Sequence, residues 1–326
     1  MPNYVYFFLA VAGLIVGYII YGSIVAKIFG ADENRPTPAK TMADGVAYVE
    51  MPMWKVWLIQ LLNIAGVGPV FGPILGALYG PSALLWIVIG TIFAGAVHDY
   101  FSGMLSVRYK GANVPTIVGY NLGNVAKQVM RVFAVILLLL VGVVFVAAPA
   151  GLLAKLTPDY MDQMFWVAVI FAYYFLATIL PIDKIIGRLY PLFGAVLIIM
   201  AVGMTVTMFT NGCEFYNWAS FPNNHPQQLP IFPLVFITIA CGALSGFHAT
   251  QSPLMSRCLS NEKQGKAVFY GGMVAEGFIG LVWATVGMTF YTSPEALAAA
   301  GGPATVVNET ARALMGPVGG VLAILG

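Results

Sequence analysis

The sequence predicts an all-α membrane protein that crosses the bilayer many times. Three observations carry that prediction: the composition, the recurrence of long apolar runs, and the placement of the basic residues. Of 326 residues, 60% are hydrophobic and 9% charged, and the mean hydropathy is +0.85. A water-soluble domain carries about a quarter of its residues as charges. Runs such as "VFAVILLLLVGVVFVAAPAGLLA" (Val132 to Ala154) are long enough to cross a hydrocarbon core of about 30 Å. The net charge of +2 offers nothing to nucleic acid. Cys213, Cys241 and Cys258 lack the spacing of a metal site or a disulfide framework, so no metal and no cofactor are expected.

Taken in order, the chain divides into eight spans and a partial ninth, at about 4–29, 54–80, 83–107, 131–153, 163–182, 189–210, 230–256, 267–292 and 317–326. Span 1 has no basic leader and too long an apolar core for a cleaved signal peptide. The whole is one transmembrane domain, with residues 1–53 as an extra N-terminal span and its loop. The segment "NVPTIVGYNLGNVAKQVM" after span 3 is too polar to cross and is expected along the membrane interface. The last segment, "GPVGGVLAILG", is too short to cross. Of the 15 basic residues, all but Lys155 and Arg312 fall in or beside odd-numbered loops. By the positive-inside rule those loops face the cytoplasm and the N-terminus lies outside.

Span 2 holds "NIAGVGPVFGPILGALYG" (Asn63 to Gly80), with Gly66, Gly68, Pro69, Gly72 and Pro73 in the middle of an apolar run. Lipid tolerates a broken helix only inside protein or beside a polar cavity, so a discontinuous span is expected here. Span 7, "CGALSGFHATQSPLMSR" (Cys241 to Arg257), repeats the pattern. Gly242, Gly246 and Pro253 interrupt it, and Ser245, His248, Thr250, Gln251 and Ser252 make it polar. Two broken spans, five apart and running in opposite directions, predict an inverted repeat with substrate at the breaks. Residues 54–210 form the first repeat, and 230–326 begin a second that lacks its later helices.

Four ionisable residues lie inside spans. His98 and Asp99 are ten and nine residues before Arg108, His248 is nine before Arg257, and Glu276 is ten after Lys266. At about 1.5 Å per residue all four sit roughly 13–15 Å inside their basic anchors. Such groups are expensive in a membrane and mark ion pathways, and histidine titrates near neutral pH. The expected proton-coupling group is therefore His98, Asp99, His248 and Glu276. The expected substrate contacts are Asn63, Gly66, Gly68, Pro69, Gly72, Ser245, Gly246, Thr250 and Gln251. The residues form no compact ligand motif such as HExxH, and Ser245 beside His248 does not match G-x-S-x-G. Neither a metal site nor a hydrolase is favoured. Gln60, Asn63 and Ser245 equally suit hydrogen bonds between helices.

The stretches "NIAGVGPVFGPILGALYGPSALLWIVIGTIFAGAVHDYFSGMLSVRYKG" and "CGALSGFHATQSP" closely resemble the carbon starvation protein A family, from the second span to the eighth. The resemblance implies an inner-membrane, multi-pass transporter linked to peptide uptake or proton-coupled pyruvate uptake, with the substrate and the coupling proton as its small partners. It also implies the inverted-repeat fold of the amino acid–polyamine–organocation superfamily (APC, LeuT-like). Family members are normally longer. A non-transporting sensor or partner subunit is the other function class left open.

Overall fold

The structure is a computed structural model that describes residues 4–154, 157–179, 183–212 and 223–325. Lys155, Cys213 and the last residues expected for span 5 fall outside them. Among the described residues the protein is helical throughout, with one isolated bridge between Met51 and Leu259. Five helices are long and apolar enough to cross a membrane, and six if one bent pair counts as a span. The chain is a multi-pass membrane protein. The count falls below eight because span 7 is split into Ile231–Thr238 and His248–Ser256. Neither piece approaches the roughly 20 residues that a straight crossing takes. Span 5 contributes Gln163–Ile179.

Span 2 is discontinuous. Met53–Ile64 and Gly68–Gly76 are separate helices, a 3-10 turn at Ala77–Tyr79 follows, and the two halves are bent by 53°. Pro69 opens the second half at a position whose N–H would have no intrahelical acceptor, so its missing donor costs nothing there. The break is narrower than the Gly/Pro pattern suggests, because Gly72 and Pro73 are helical. Gly72 serves a close approach instead: a Cβ there would stand 2.7 Å from the Thr238 carbonyl oxygen in span 7.

In span 7 the break covers 239–247, where Gly242 (φ 99°) and Ser245 (φ 48°) take left-handed conformations. Gly242 rests on Pro69 and Pro73 of span 2, so the two broken spans meet at their breaks. The break ends before His248, and the nine residues His248–Ser256 form a helix that Arg257 caps.

Spans 3 and 8 each contain a π-helical turn, at Thr91–Gly95 and Lys266–Tyr270. Such turns rotate everything beyond them relative to a plain α-helix. Ala96–Arg108 packs along His248–Ser256, and Gly271–Phe290 packs along Gly68–Gly76. Each second half of a broken span thus lies on the later half of a π-interrupted one. Asp99 and Glu276 stand 177 positions apart (276 minus 99). The same offset carries the break at 65–67 onto 242–244, inside the break of span 7. It carries Thr91–Gly95 onto 268–272, within two residues of the second π-turn.

At one end of the bundle three odd-numbered connections are tied together. Glu262, fully buried, receives Arg108 Nε at 2.8 Å, Arg35 Nη1 at 3.4 Å and the Asp32 backbone N–H at 3.0 Å. Arg257 Nε donates to the Gly111 carbonyl at 3.0 Å.

Two regions carry helix that the span assignment left out. The segment expected to lie along the interface is helical and runs into span 4, with a break at Gly123 (φ 87°) inside Val114–Ala154. The short ninth span is the tail of Pro303–Leu325, broken at Gly316 (φ 68°). Its first part, 303–315, buries Val306, Val307, Thr310 and Ala311. That stripe at helical spacing is short and polar on its other face, so a search for long apolar runs passes over it.

Candidate functional site

Asp99 is the centre of a buried polar cluster that joins spans 2, 3 and 7. Its carboxylate accepts from Gln60 Nε2 at 2.8 and 3.1 Å and from the Ser252 hydroxyl. Gln60 also donates to Ser252 Oγ at 3.0 Å. All three residues are fully buried. Gln60 stands on the last turns before the break in span 2, and Ser252 lies one turn after His248. His248 and Ser252, at i and i+4, share one helical face, and that face looks onto Ala96–Arg108.

His248 is fully buried beside them. Its Nε2 stands 3.8 Å from Asp99 Oδ2, within ion-pair range but too long for a hydrogen bond. Its Nδ1 is 3.2 Å from Nδ1 of His98. One of those two nitrogens must carry the hydrogen while the other offers its lone pair. The sequence reading placed all four ionisable residues at one depth inside their spans. His98 is exposed there, because adjacent positions on a helix point about 100° apart and Asp99 takes the inward direction. The result is a line from an exposed imidazole, through a buried one, to a buried carboxylate.

Glu276 does not join that line. It is fully buried in Gly271–Phe290. Neither carboxyl oxygen makes a hydrogen bond of normal geometry among the described residues, although the Gly242 backbone lies beside it. One turn earlier, Gly272 packs on the Gln60 side chain. Glu276 therefore sits one turn from the Asp99 cluster, at the break of span 7.

The other residues expected at the site are spread around the two breaks. Asn63 is half-buried at the end of the first half of span 2 and makes no hydrogen bond among the described residues. Gly66 faces the ring of Phe145, and Gly68 faces the side chain of Cys241. Pro69 is buried, and Gly72 lies against span 7. Ser245 is buried, with its hydroxyl accepting from the Phe247 N–H at 3.4 Å, while Gly246 is exposed. Thr250 donates to the Phe247 carbonyl at 3.1 Å and lines a cavity of about 200 Å³ beside span 4. Gln251 donates to Thr250 Oγ1 at 3.5 Å. Among the described residues no three His, Cys, Asp or Glu side chains converge as a metal site.

Gln60 and Ser252 are the site residues that the sequence reading left out of its expected contacts. Their signal was their polarity within apolar spans. Nothing in the spacing says that both reach Asp99.

A family model described as "Carbon starvation protein CstA" matches residues 3–159 and 155–322. An uncharacterized membrane protein of Haemophilus influenzae is 51% identical over 343 residues, covering 90% of this chain and 92% of that protein. The peptide transporter CstA of Campylobacter jejuni is 31% identical over 339 residues, covering 84% of this chain and 48% of the transporter. The corresponding protein of Escherichia coli is 28% identical over 381 residues, covering 91% and 53%. The chain thus spans about half the length of these two named transporters. No solved structure matches. The chain belongs to the carbon starvation protein CstA family.

Proposed function

We propose that the chain is a secondary active transporter of the inner membrane that imports short peptides or small carboxylates such as pyruvate, driven by protons. The observation that carries this reading is the Asp99 cluster. A buried carboxylate is held by side chains from both broken spans and linked through His248 to an exposed His98. A histidine that uses one ring nitrogen outward and the other inward is built to pass a proton. The names of the relatives from Campylobacter jejuni and Escherichia coli support transport, and peptides as one substrate class.

In this reading residues 54–210 form one repeat and 230–326 begin its inverted partner, in the APC/LeuT-like arrangement with residues 1–53 outside it. The offset of 177 positions shared by the breaks, the π-turns and the two carboxylates supports that arrangement. Substrate binds where the broken spans meet. Half-helix N-termini at Gly68 and His248 favour a carboxylate, and the half-buried, unbonded Asn63 supplies an amide. Protonation of Asp99 or His248 changes the charge between spans 3 and 7, which rock against each other as access alternates. Glu276 is a second carboxylate of the coupling group, at the break.

The test is uptake of labelled pyruvate and of a labelled dipeptide by proteoliposomes holding the full chain, with and without an inward proton gradient. Accumulation of either substrate only under the gradient is expected. No uptake by folded, correctly inserted protein would leave a sensor or partner subunit as the better reading.

A further inference from the structure

Away from the Asp99 cluster, a groove lies beside the N-terminal helix. It runs between that helix, the first turns of span 2 and the start of span 8, with a volume of about 650 Å³. That is within the range of sites that bury most of a small ligand. Its walls include Leu14, Ile15, Tyr18, Trp54, Trp57 and Phe278, and they are almost wholly apolar. Gly271 keeps the groove open where these walls converge: a Cβ there would stand 3.3 Å from the Tyr18 ring and 3.8 Å from the Trp57 indole nitrogen.

The charges at one end of this groove set it apart. Lys266 holds its ammonium 4.5 Å from the centre of the Tyr18 ring and donates to Ser23 Oγ at 2.7 Å. Several other basic residues at this end are paired with carboxylates: Arg35 and Arg108 with Glu262, Lys40 with Glu50, and Lys263 with Glu33. Lys266 forms no ion pair with a carboxylate among the described residues. An apolar slot in the membrane, with an uncompensated ammonium group at one end, complements an amphiphile with an acidic head and a hydrocarbon tail.

We propose that this groove binds an anionic phospholipid, with an acyl chain along Leu14, Trp57 and Phe278 and the phosphate at Lys266. The surrounding bilayer supplies such molecules at high local concentration, and a lysine near the membrane surface attracts anionic lipid. The lipid would wedge between the N-terminal helix and spans 2 and 8, the spans that carry the first break and Glu276.

Trp54 and Trp57 line the groove and report its occupant directly. The full chain is placed in phosphatidylcholine nanodiscs containing a minor fraction of brominated phosphatidylglycerol or, separately, brominated phosphatidylcholine. Tryptophan fluorescence is then read. Brominated phosphatidylglycerol is expected to quench at lower lipid fraction than brominated phosphatidylcholine, and Trp54→Phe with Trp57→Phe is expected to remove that difference. Lys266→Gln is expected to shift the phosphatidylglycerol curve about five-fold to higher lipid fraction, the scale of losing one surface lysine. Lys266→Arg is expected to restore it, separating a lost headgroup contact from misfolding. Equal quenching by the two lipids would overturn the proposal and make the groove a site for any boundary lipid. A phosphatidylglycerol preference that survives Lys266→Gln would also overturn it.

Discussion

The two interrupted spans meet at their breaks but are built from different chemistry. The break in span 2 takes three residues, 65–67, is flanked by apolar and small side chains, and is bent by 53°. The break in span 7 runs from 239 to 247 and contains a serine in the left-handed region. It leads into His248, Thr250, Gln251 and Ser252. The glycines after the first break let backbones approach, as Gly72 does against Thr238. The second break delivers His248 and Ser252 onto Asp99. The two buried carboxylates follow the same division. Asp99 is held by Gln60 and Ser252 and faces His248, whereas Glu276 has no hydrogen bond of normal geometry among the described residues. Of the two buried carboxylates, only Asp99 is linked through His248 to an exposed side chain.

That contrast breaks if the wired carboxylate proves dispensable. Asp99→Asn is expected to lower proton-driven uptake about 100-fold, the scale on which loss of a proton-transfer group acts, measured as initial rates in proteoliposomes. His248→Gln is expected to cost about ten-fold in the same assay, since it removes the link between His98 and Asp99. Uptake at the wild-type rate would remove His248 from the proton path. Gln60→Leu is expected to cost only a few-fold, because Ser252 still holds Asp99 through a hydrogen bond worth about 1 kcal/mol. On the packing side, Gly72→Val is expected to destabilise the fold by about 2 kcal/mol, the usual cost of overpacking, read by thermal unfolding in detergent. Gly66→Ala is expected to cost less, since its Cβ would meet only the tip of the Phe145 ring.

Much of this architecture was legible in the residues. Glycine and proline clustered inside apolar runs marked both broken spans, because lipid gives an unpaired backbone nowhere to go. Polar side chains in those runs marked the site. The remainder depends on direction and distance, which a spacing argument does not contain. His98 and Asp99 are adjacent in sequence, but the helix turns one outward and the other inward. The depth reckoned for Glu276 assumed α-helix throughout, and the path from Lys266 passes through a π-turn instead. Gly72 and Pro73 looked like part of the break, yet they sit in helix because the glycine is needed for contact with span 7. Gln60 and Ser252 announced themselves only as polar residues, since their shared partner lies in a third span. The buried stripe of 303–315 was hidden by its shortness and its polar face.

The claim that Asp99 couples protons to substrate is tested by comparing two modes of transport in one preparation. Proteoliposomes of the wild-type chain and of Asp99→Asn are assayed for accumulation under an inward proton gradient and for substrate exchange at equal pH. The predicted result is that the variant keeps exchange and loses accumulation, because the binding site survives while the driving proton has no acceptor. Accumulation by Asp99→Asn at the wild-type level would contradict it and take the proton path away from the Asp99 cluster.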